Sequence, residues 1–220
     1  AQIAQMAQAA ILIGGGGGSQ LLLNHFLKNK KTVVAITGSG GLADAHLPPD
    51  VLKAETALEA LELLLKIKHE SWLPSPFGAT KLSYNHFGLC QTKLSSETPP
   101  SIAQKDEFGR QLDDYFKGKL QEFTGRIMLH GSQFQRKVWQ ALLDIPYGKT
   151  LEYGELAAII GDKNSSRAVG HAAGQNPLWV IVPCHRLIGK DGSLTGYAGG
   201  LEMKQHLLDL ESHQTELRLF

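Results

Sequence analysis

Cysteine is scarce in this 220-residue chain, which contains only Cys90 and Cys184. Two cysteines this far apart supply neither a disulfide framework nor the paired spacing of a zinc site. The nine histidines form no His-x-x-x-His pair either, so we expect no metal site. Unbridged thiols fit a reducing cytosol, where a reactive cysteine would persist.

Long apolar runs and an excess of one charge are also missing. No stretch approaches the ~18 apolar residues of a membrane helix. Ala9 to Ile13 is too short for a signal peptide and has no basic residues before it. The formal net charge is only +1, so any nucleic-acid binding must depend on where a few basic residues lie. We therefore predict a soluble globular protein of one or two domains, without a membrane span.

The first 70 residues alternate apolar runs with glycine-rich segments. Ile11 to Ile13 leads into Gly14 to Gly18 and an apolar helix, and Thr32 to Ile36 leads into Thr37 to Gly41. Strand, glycine loop and helix in this order are typical of a parallel α/β unit. A helix from about Asp50 to His69 is expected to follow. A flexible linker or a fusion remnant is the alternative interpretation, and we assign the segment no activity.

From Trp72 the pattern changes to short strands, near Lys81 to Tyr84 and Leu89 to Leu94, followed by a loop rich in Ser, Thr and Pro. A helix near residues 102–117 carries apolar side chains at helical spacing, which predicts a stripe facing the core. The stripe consists of Phe108, Leu112, Tyr115 and Phe116.

Three helices are predicted next, over residues 132–143, 153–160 and about 165–173. They suggest a helix-turn-helix of modest specificity, because many enzymes contain helix pairs without a DNA role. Arg167 stands in the first turn of the third helix, where the helix dipole disfavours a cation by roughly 0.3–1 kcal/mol. This placement favours a functional role, with a solvated surface arginine as the alternative.

The apolar run Leu178 to Val182 predicts a short buried strand that ends at Pro183. Cys184 follows at once, ahead of His185 and Arg186. A thiol is nucleophilic as the thiolate, and an adjacent imidazole or guanidinium lowers its pKa. The segment by itself is equally compatible with a buried structural cysteine.

Further motifs surround this cysteine. Ser166-Arg167-Ala168-Val169-Gly170 and Asn176-Pro177 precede it, and Tyr197-Ala198-Gly199-Gly200 follows it. With this combination, residues 72–217 resemble the O6-alkylguanine-DNA alkyltransferase family. Residues 1–70 are weakly similar to part of a Rossmann-like nucleotide-binding protein of the lysine-decarboxylase-like group.

The resemblance implies an α/β fold class and a domain order. A partial Rossmann-like α/β segment (1–70) precedes a small strand-containing domain (71–130), and a winged helix-turn-helix domain (131–217) carries Cys184. The implied protein is a monomer without cofactor or metal, and its partner is double-stranded DNA with an alkylated guanine. It is expected in the cytoplasm, at the nucleoid of a bacterium, or in the nucleus of a eukaryote.

The implied reaction transfers an alkyl group, mainly methyl, from guanine O6 to Cys184, once per molecule, with thymine O4 as a second position. In the resembling family, His185 would take the thiol proton through a water and Glu211 would orient the imidazole. Tyr153 would bond the flipped base, Lys204 would belong to the pocket, and Asn176 would hold the active-site turn. The remaining contacts to substrate or DNA would come from Arg167, Ala168, Gly170, Arg186, Tyr197, Ala198 and Gly199.

The chain departs from the family pattern at Ala198, at Gln205-His206 and at the helix-cap position Glu152. Ala198 lacks a hydroxyl that some relatives would place near O6, but none of the departures removes a catalytic group. Two other functions remain open. A lesion-sensing protein would flip the base without accepting the group, although such proteins lack the acceptor cysteine. A cysteine hydrolase would use Cys184 and His185 with Asn176 or Glu211, although such enzymes draw their histidine from elsewhere in the sequence.

Overall fold

The computed structural model describes residues 9–13, 17–37, 39–44, 47–66, 69–95 and 106–217. The chain forms two compact units. The first comprises the residues up to His69 together with Tyr84–Leu89, and the second comprises Glu70–Ser83 and the chain from Cys90 onward. The predicted division into three domains stays a prediction.

The first unit is built on a parallel sheet in the order β1 (Ala9–Ile13), β2 (Thr32–Ile36) and β3 (Leu52–Ala54). Helices α1 (Gly17–Lys28) and α2 (Ala57–Leu65) accompany it. Val33 and Ala35 pack in one apolar cluster, and the alternate residues Val34 and Ile36 pack in another. Both faces of β2 are therefore covered, which explains its continuous apolar run. Gly14 to Gly16 and Gly38 of the predicted glycine loops lie outside the described residues.

The helix predicted from Asp50 to His69 is wrong at both ends. Leu52–Ala54 is extended as β3, and α2 begins only at Ala57. The Thr56 side chain caps α2 by accepting a hydrogen bond from the Glu59 amide. The helix ends at Leu65.

A second sheet has the order β4 (His69–Ser75), β5 (Gly78–Asn85) and β6 (Gly88–Ser95). Its strands are joined by two-residue turns, a connection that only antiparallel neighbours permit. Helix α3 (Glu107–Phe116) begins at the N-cap Asp106 and buries Phe108, Leu112 and Tyr115. The residues predicted to open this helix, from Ile102, lie outside the described part of the chain.

The helices predicted in the second half are close to those in the structure, which has α4 (Gln133–Leu143), α5 (Tyr153–Ile159) and α6 (Ser166–Gly174). Ser132 and Gln135 cap α4 reciprocally, and the Trp139 indole donates to the Ala172 carbonyl, which ties α4 to α6. Strand β7 (Leu151–Glu152) lies directly before α5 and pairs in parallel with β8 (Leu187–Ile188), which follows α6. Helix α7 (Leu201–Leu217) completes the described chain. None of the described helices is long and apolar enough to cross a membrane.

The predicted strand from Leu178 to Val182 is instead a tight loop. The Val182 amide donates to the Leu178 carbonyl at 2.8 Å, and Val180 has a left-handed backbone with φ of 70°. Only isolated bridges remain, including one from Leu178 to Thr92. Four of the five apolar residues are buried and Trp179 is half-buried, although the segment is a loop and not a strand. The loop leads directly into Cys184, whose side chain lines a cavity.

Candidate active site

Cys184 opens a 3₁₀ turn, Cys184–Arg186, directly after Pro183. Its side chain is buried and lines a cavity of about 350 Å³. Other walls come from Thr92 of β6 and from Trp179 in the loop before the cysteine. The segment Tyr197, Ala198 and Gly199, predicted to bind substrate, also lines this cavity.

Asn176 holds the loop that presents the cysteine. Its side-chain nitrogen donates to the Val182 carbonyl at 2.7 Å and to Cys184 Sγ at 3.2 Å. Its side-chain oxygen accepts a hydrogen bond from the Leu178 amide at 2.9 Å. One amide therefore fixes both ends of the loop and supplies a donor to the sulfur.

The thiol of Cys184 is not activated in the way its sequence neighbours suggest. Burial raises its pKa, and this effect is opposed by the hydrogen bond from Asn176 and by the positive charge of Lys204. The sequence predicts that His185 and Arg186 lower this pKa, but both side chains bind Glu211. The sulfur is thus predominantly a thiol near neutral pH and requires a proton acceptor to react.

Lys204 of α7 is a buried cation. Its side chain is fully inaccessible to solvent, and its Nζ donates to the Thr195 carbonyl at 2.9 Å and to the Tyr153 hydroxyl at 3.4 Å. Burial lowers the pKa of Lys204, and the charge of the Cys184 thiolate opposes that shift. The Tyr153 hydroxyl also donates to the Thr195 carbonyl. Lys204 and Tyr153 therefore form one polar group whose charge acts on the cysteine.

Glu211 is the centre of a second buried group. Its Oε1 accepts hydrogen bonds from Tyr115 at 2.7 Å and from His185 Nε2 at 2.9 Å. Arg186 donates to both carboxylate oxygens, and the Gly148 amide donates to Oε2. Burial alone would raise the pKa of Glu211, but the bonds from His185 and Arg186 outweigh it and lower the pKa to about 2. The carboxylate is therefore ionised at neutral pH.

The ionised carboxylate determines the tautomer of His185. An ionised carboxylate can only accept hydrogen bonds, so the proton between Glu211 and His185 is on Nε2 of the histidine. Burial lowers the pKa of His185 more than Glu211 raises it, so the ring is neutral and Nδ1 carries no proton. Nδ1 is buried without a hydrogen-bond partner among the described residues. The site thus contains a proton acceptor in the residue next to the cysteine.

Two residues of this group have roles that sequence reasoning did not predict. Arg186, predicted to contact substrate or DNA, is 6% exposed and uses its guanidinium on Glu211 and the Ile145 carbonyl. The motif around Cys184 does not show whether Arg186 contacts DNA or binds a carboxylate inside the protein. The apolar stripe of α3 predicts Tyr115 only as a core residue. The pattern does not indicate that its hydroxyl donates to Glu211, which is distant in the sequence.

The remaining predicted residues lie on α6. Arg167 and Ala168 are exposed, and Gly170 is half-buried. Arg167, Gly170 and Tyr153 line one shallow surface depression with Thr195. A Cβ on Gly170 would lie 3.6 Å from the Tyr153 ring, an ordinary contact distance. Among the described residues, no three His, Cys, Asp or Glu side chains are grouped in a way that could hold a metal ion.

Comparisons with known proteins indicate which family the chain resembles. Residues 133–213 match the family model described as "6-O-methylguanine DNA methyltransferase, DNA binding domain". A methylated-DNA–protein-cysteine methyltransferase of Mycobacterium leprae is 55% identical over 158 residues, which are 67% of this chain and 96% of that protein. The corresponding protein of Methanosarcina acetivorans is 46% identical, over 62% of this chain and 94% of that protein.

The chain belongs to the methylated-DNA–protein-cysteine methyltransferase family. A solved structure also matches, that of Mycobacterium tuberculosis OGT in complex with DNA, at 41% identity and a TM-score of 0.61. The match covers 67% of this chain and 94% of that one. The mixed α/β fold is therefore that of the methyltransferase family. About one third of the chain has no counterpart in the M. tuberculosis OGT structure.

Proposed function

We propose that this methyltransferase repairs DNA by transferring an alkyl group, mainly methyl, from O6 of guanine to Sγ of Cys184. One observation carries the proposal. A buried cysteine lines a cavity, accepts a hydrogen bond from Asn176, and is followed by a histidine that bonds Glu211 through Nε2 and leaves Nδ1 without a partner among the described residues. Cys184, His185 and Glu211 thus have the arrangement of nucleophile, base and orienting carboxylate that is typical of covalent catalysis. The names of the relatives and the OGT structure with DNA support the same reaction.

In the proposed step, Sγ forms a bond to the alkyl carbon as the bond from that carbon to O6 breaks. Nδ1 of His185 takes the thiol proton through a water, and the proton is finally carried by the released guanine. The positive charge of Lys204 and the Asn176 amide stabilise negative charge on sulfur as it develops. The product thioether is not reversed, so each molecule reacts once. The lesion itself supplies the alkyl group, so no separate donor is consumed.

The base must leave the duplex to reach the cavity, because guanine O6 is stacked and paired inside it. We assign Arg167 to the space that the base vacates, since its charge stands against the helix dipole at an exposed position. The small residues Ala168 and Gly170 permit the helix to approach the backbone closely. Tyr197, Ala198 and Gly199 surround the base, and the Tyr153 hydroxyl bonds its edge.

The finer domain assignment belongs to the same proposal. Residues 131–217 form the helix-turn-helix domain that binds DNA and carries the reaction, and residues 71–130 support it. Residues 1–70 are a partial Rossmann-like segment without an assigned activity, an interpretation that the parallel order of β1, β2 and β3 supports. We expect the protein to act as a monomer in the cytoplasm or wherever the cell keeps its DNA.

Mass spectrometry of the intact protein and its peptides, after mixing with an O6-methylguanine oligonucleotide, tests the reaction. We expect a gain of one methyl group on the Cys184 peptide that saturates at one per protein. Cys184→Ser should bind the damaged duplex without gaining mass, and Cys90→Ser serves as the matched control that still gains it. Binding without any mass gain in the unaltered protein would instead favour lesion sensing.

A further inference from the structure

Tyr115 brings a hydroxyl from α3, outside the helix-turn-helix, into the group around Glu211. The tyrosine is fully buried, and its hydroxyl lies 2.7 Å from Glu211 Oε1 and 3.5 Å from His185 Nε2. Its ring is surrounded by the rings of Phe116, Phe123 and Tyr147. A phenylalanine would make these ring contacts equally well, so packing does not explain the hydroxyl.

We propose that Tyr115 is a positioning residue for the transfer reaction: its hydroxyl holds Glu211 Oε1 against His185 Nε2, so that Nδ1 of this ring remains the proton acceptor. The inference rests on the proposed function and deepens it, because it concerns how the base next to Cys184 is kept ready.

The tyrosine can act only as a donor here. Burial and the adjacent charge of Glu211 raise its pKa well above 10, so the hydroxyl keeps its proton at any pH at which the protein works. That proton points to an ionised carboxylate, which can only accept it. Oε1 therefore divides its negative charge among the tyrosine, the histidine and the arginine. A carboxylate held by several donors is fixed in orientation and is less basic toward each of them.

His185 is faced by groups from three elements, and their charges set its protonation. Glu211 on α7 favours the imidazolium, whereas Arg186 in its own turn and Lys204 on α7 disfavour it, in addition to burial. Tyr115 on α3 is the one neutral member, and it acts through Glu211. Without the tyrosine hydroxyl, Oε1 has one donor fewer and attracts a positive charge on His185 more strongly. The imidazolium would then be favoured, and a protonated His185 cannot accept the proton of the Cys184 thiol.

The test is Tyr115→Phe, with Tyr84→Phe as a matched loss of a tyrosine hydroxyl in the first unit. The rate of methyl transfer from an O6-methylguanine oligonucleotide is measured between about pH 5 and pH 8. The acid limb of the Tyr115→Phe profile should shift to higher pH by about half a unit to one unit, which corresponds to the free energy of one hydrogen bond. Near the lower end the rate should fall about three- to tenfold, and at the upper end the rates should converge. Tyr84→Phe should follow the unaltered protein throughout.

A Tyr115→Phe profile that is lowered equally at every pH would mean that the hydroxyl serves stability alone, and would overturn the proposal. The same series with iodoacetamide as the alkylating reagent separates this inference from the proposed function. A shifted iodoacetamide profile in a protein that transfers no methyl group from DNA would overturn the function and leave the positioning role standing.

A second measurement needs no variant of Tyr115. Nitrogen NMR of histidine-labelled protein, with His185 assigned by its loss in His185→Gln, reports the tautomer and protonation directly. We expect a neutral ring protonated at Nε2, which titrates below the ordinary histidine pKa of 6.5. A ring protonated at Nδ1 would overturn the proposal even if Tyr115→Phe did not fold.

Discussion

The side-chain nitrogen of Asn176 lies 3.2 Å from Sγ of Cys184, with seven residues of loop between them. The same nitrogen donates to the Val182 carbonyl, and the side-chain oxygen accepts from the Leu178 amide. Loop closure and stabilisation of the sulfur therefore depend on one side chain. A variant that keeps the oxygen and replaces the nitrogen tests the two donated bonds while the bond from the Leu178 amide is retained.

Asn176→Asp retains the acceptor for the Leu178 amide, but it removes both donated hydrogen bonds and places a negative charge beside the sulfur. The pKa of the Cys184 thiol should rise further. A hydrogen bond to a charged group contributes about 1.5–3 kcal/mol, so we expect the single-turnover transfer rate to fall about tenfold to a hundredfold. Rapid-quench measurement with a methylated oligonucleotide gives this rate. Asn29→Asp, in the first unit, is the control, and an unchanged rate in Asn176→Asp would contradict the role of the amide.

Lys204→Met tests the buried cation. Methionine fills similar space, but it removes the positive charge that opposes the upward shift of the Cys184 pKa. We expect Cys184 to react with iodoacetamide about tenfold more slowly near pH 7, which corresponds to a pKa rise of about one unit. Lys190→Met removes an exposed lysine and should react like the unaltered protein. Equal rates for the two variants would show that Lys204 serves packing and the Thr195 bond alone.

Local signals in the sequence predicted those elements whose ends are set by nearby side chains. Strand β2 and helix α4 fall where predicted, because an apolar run defines the first and Ser132 caps the second. The apolar run predicts a strand over residues 178–182, but the structure has a loop there, because the loop is closed by Asn176 and by the left-handed backbone of Val180. An apolar run alone does not distinguish these two outcomes.

The candidate site divides in the same way. The residues around Cys184 single it out in the sequence, whereas the roles of His185 and Glu211 follow only from the resemblance, since by spacing Glu211 is an acid near a helix end. Its burial and its four donors come from separate parts of the chain that meet only in the folded protein. The partner of the Tyr115 hydroxyl is likewise set by the folded structure. The apolar spacing of α3 predicts that the ring is buried, but not what the hydroxyl binds.

Arg167→Ala should weaken binding to duplex DNA and leave the chemistry of the cysteine unchanged. The side chain is exposed on α6 and belongs to neither buried group, so its loss should not alter the pKa of Cys184. We expect binding to a methylated duplex to weaken about fivefold to 150-fold, as for a contact worth about 1–3 kcal/mol. Reaction with a free O6-alkylguanine base should be unaltered. Arg126→Ala removes another exposed arginine and is the control, and equal losses in both assays would exclude a role for Arg167 on the duplex.

Glu211→Gln should change how the stability of the protein depends on pH. The folded-state pKa of Glu211 is about 2, below its ordinary value of 4.5, so the ionised group stabilises the folded state above pH 4.5. That contribution, on the order of 3 kcal/mol, is lost as the pH falls from 4.5 toward 2. Glutamine has no such titration, and it leaves Arg186 buried without its partner, at a cost of about 3–5 kcal/mol near neutral pH.

Urea unfolding followed by tryptophan fluorescence, repeated from about pH 7 to pH 3, measures both effects. The variant should be less stable at pH 7, and the gap to the unaltered protein should narrow by about 2 kcal/mol at pH 3, where most of the glutamate contribution has been lost. Glu202→Gln, at an exposed position on the same helix, should run parallel to the unaltered protein. If the Glu211→Gln curve is also parallel, then the carboxylate is not held ionised by His185 and Arg186. The Nε2 tautomer of His185 would then lose its basis, because that tautomer depends on a carboxylate that can only accept a hydrogen bond.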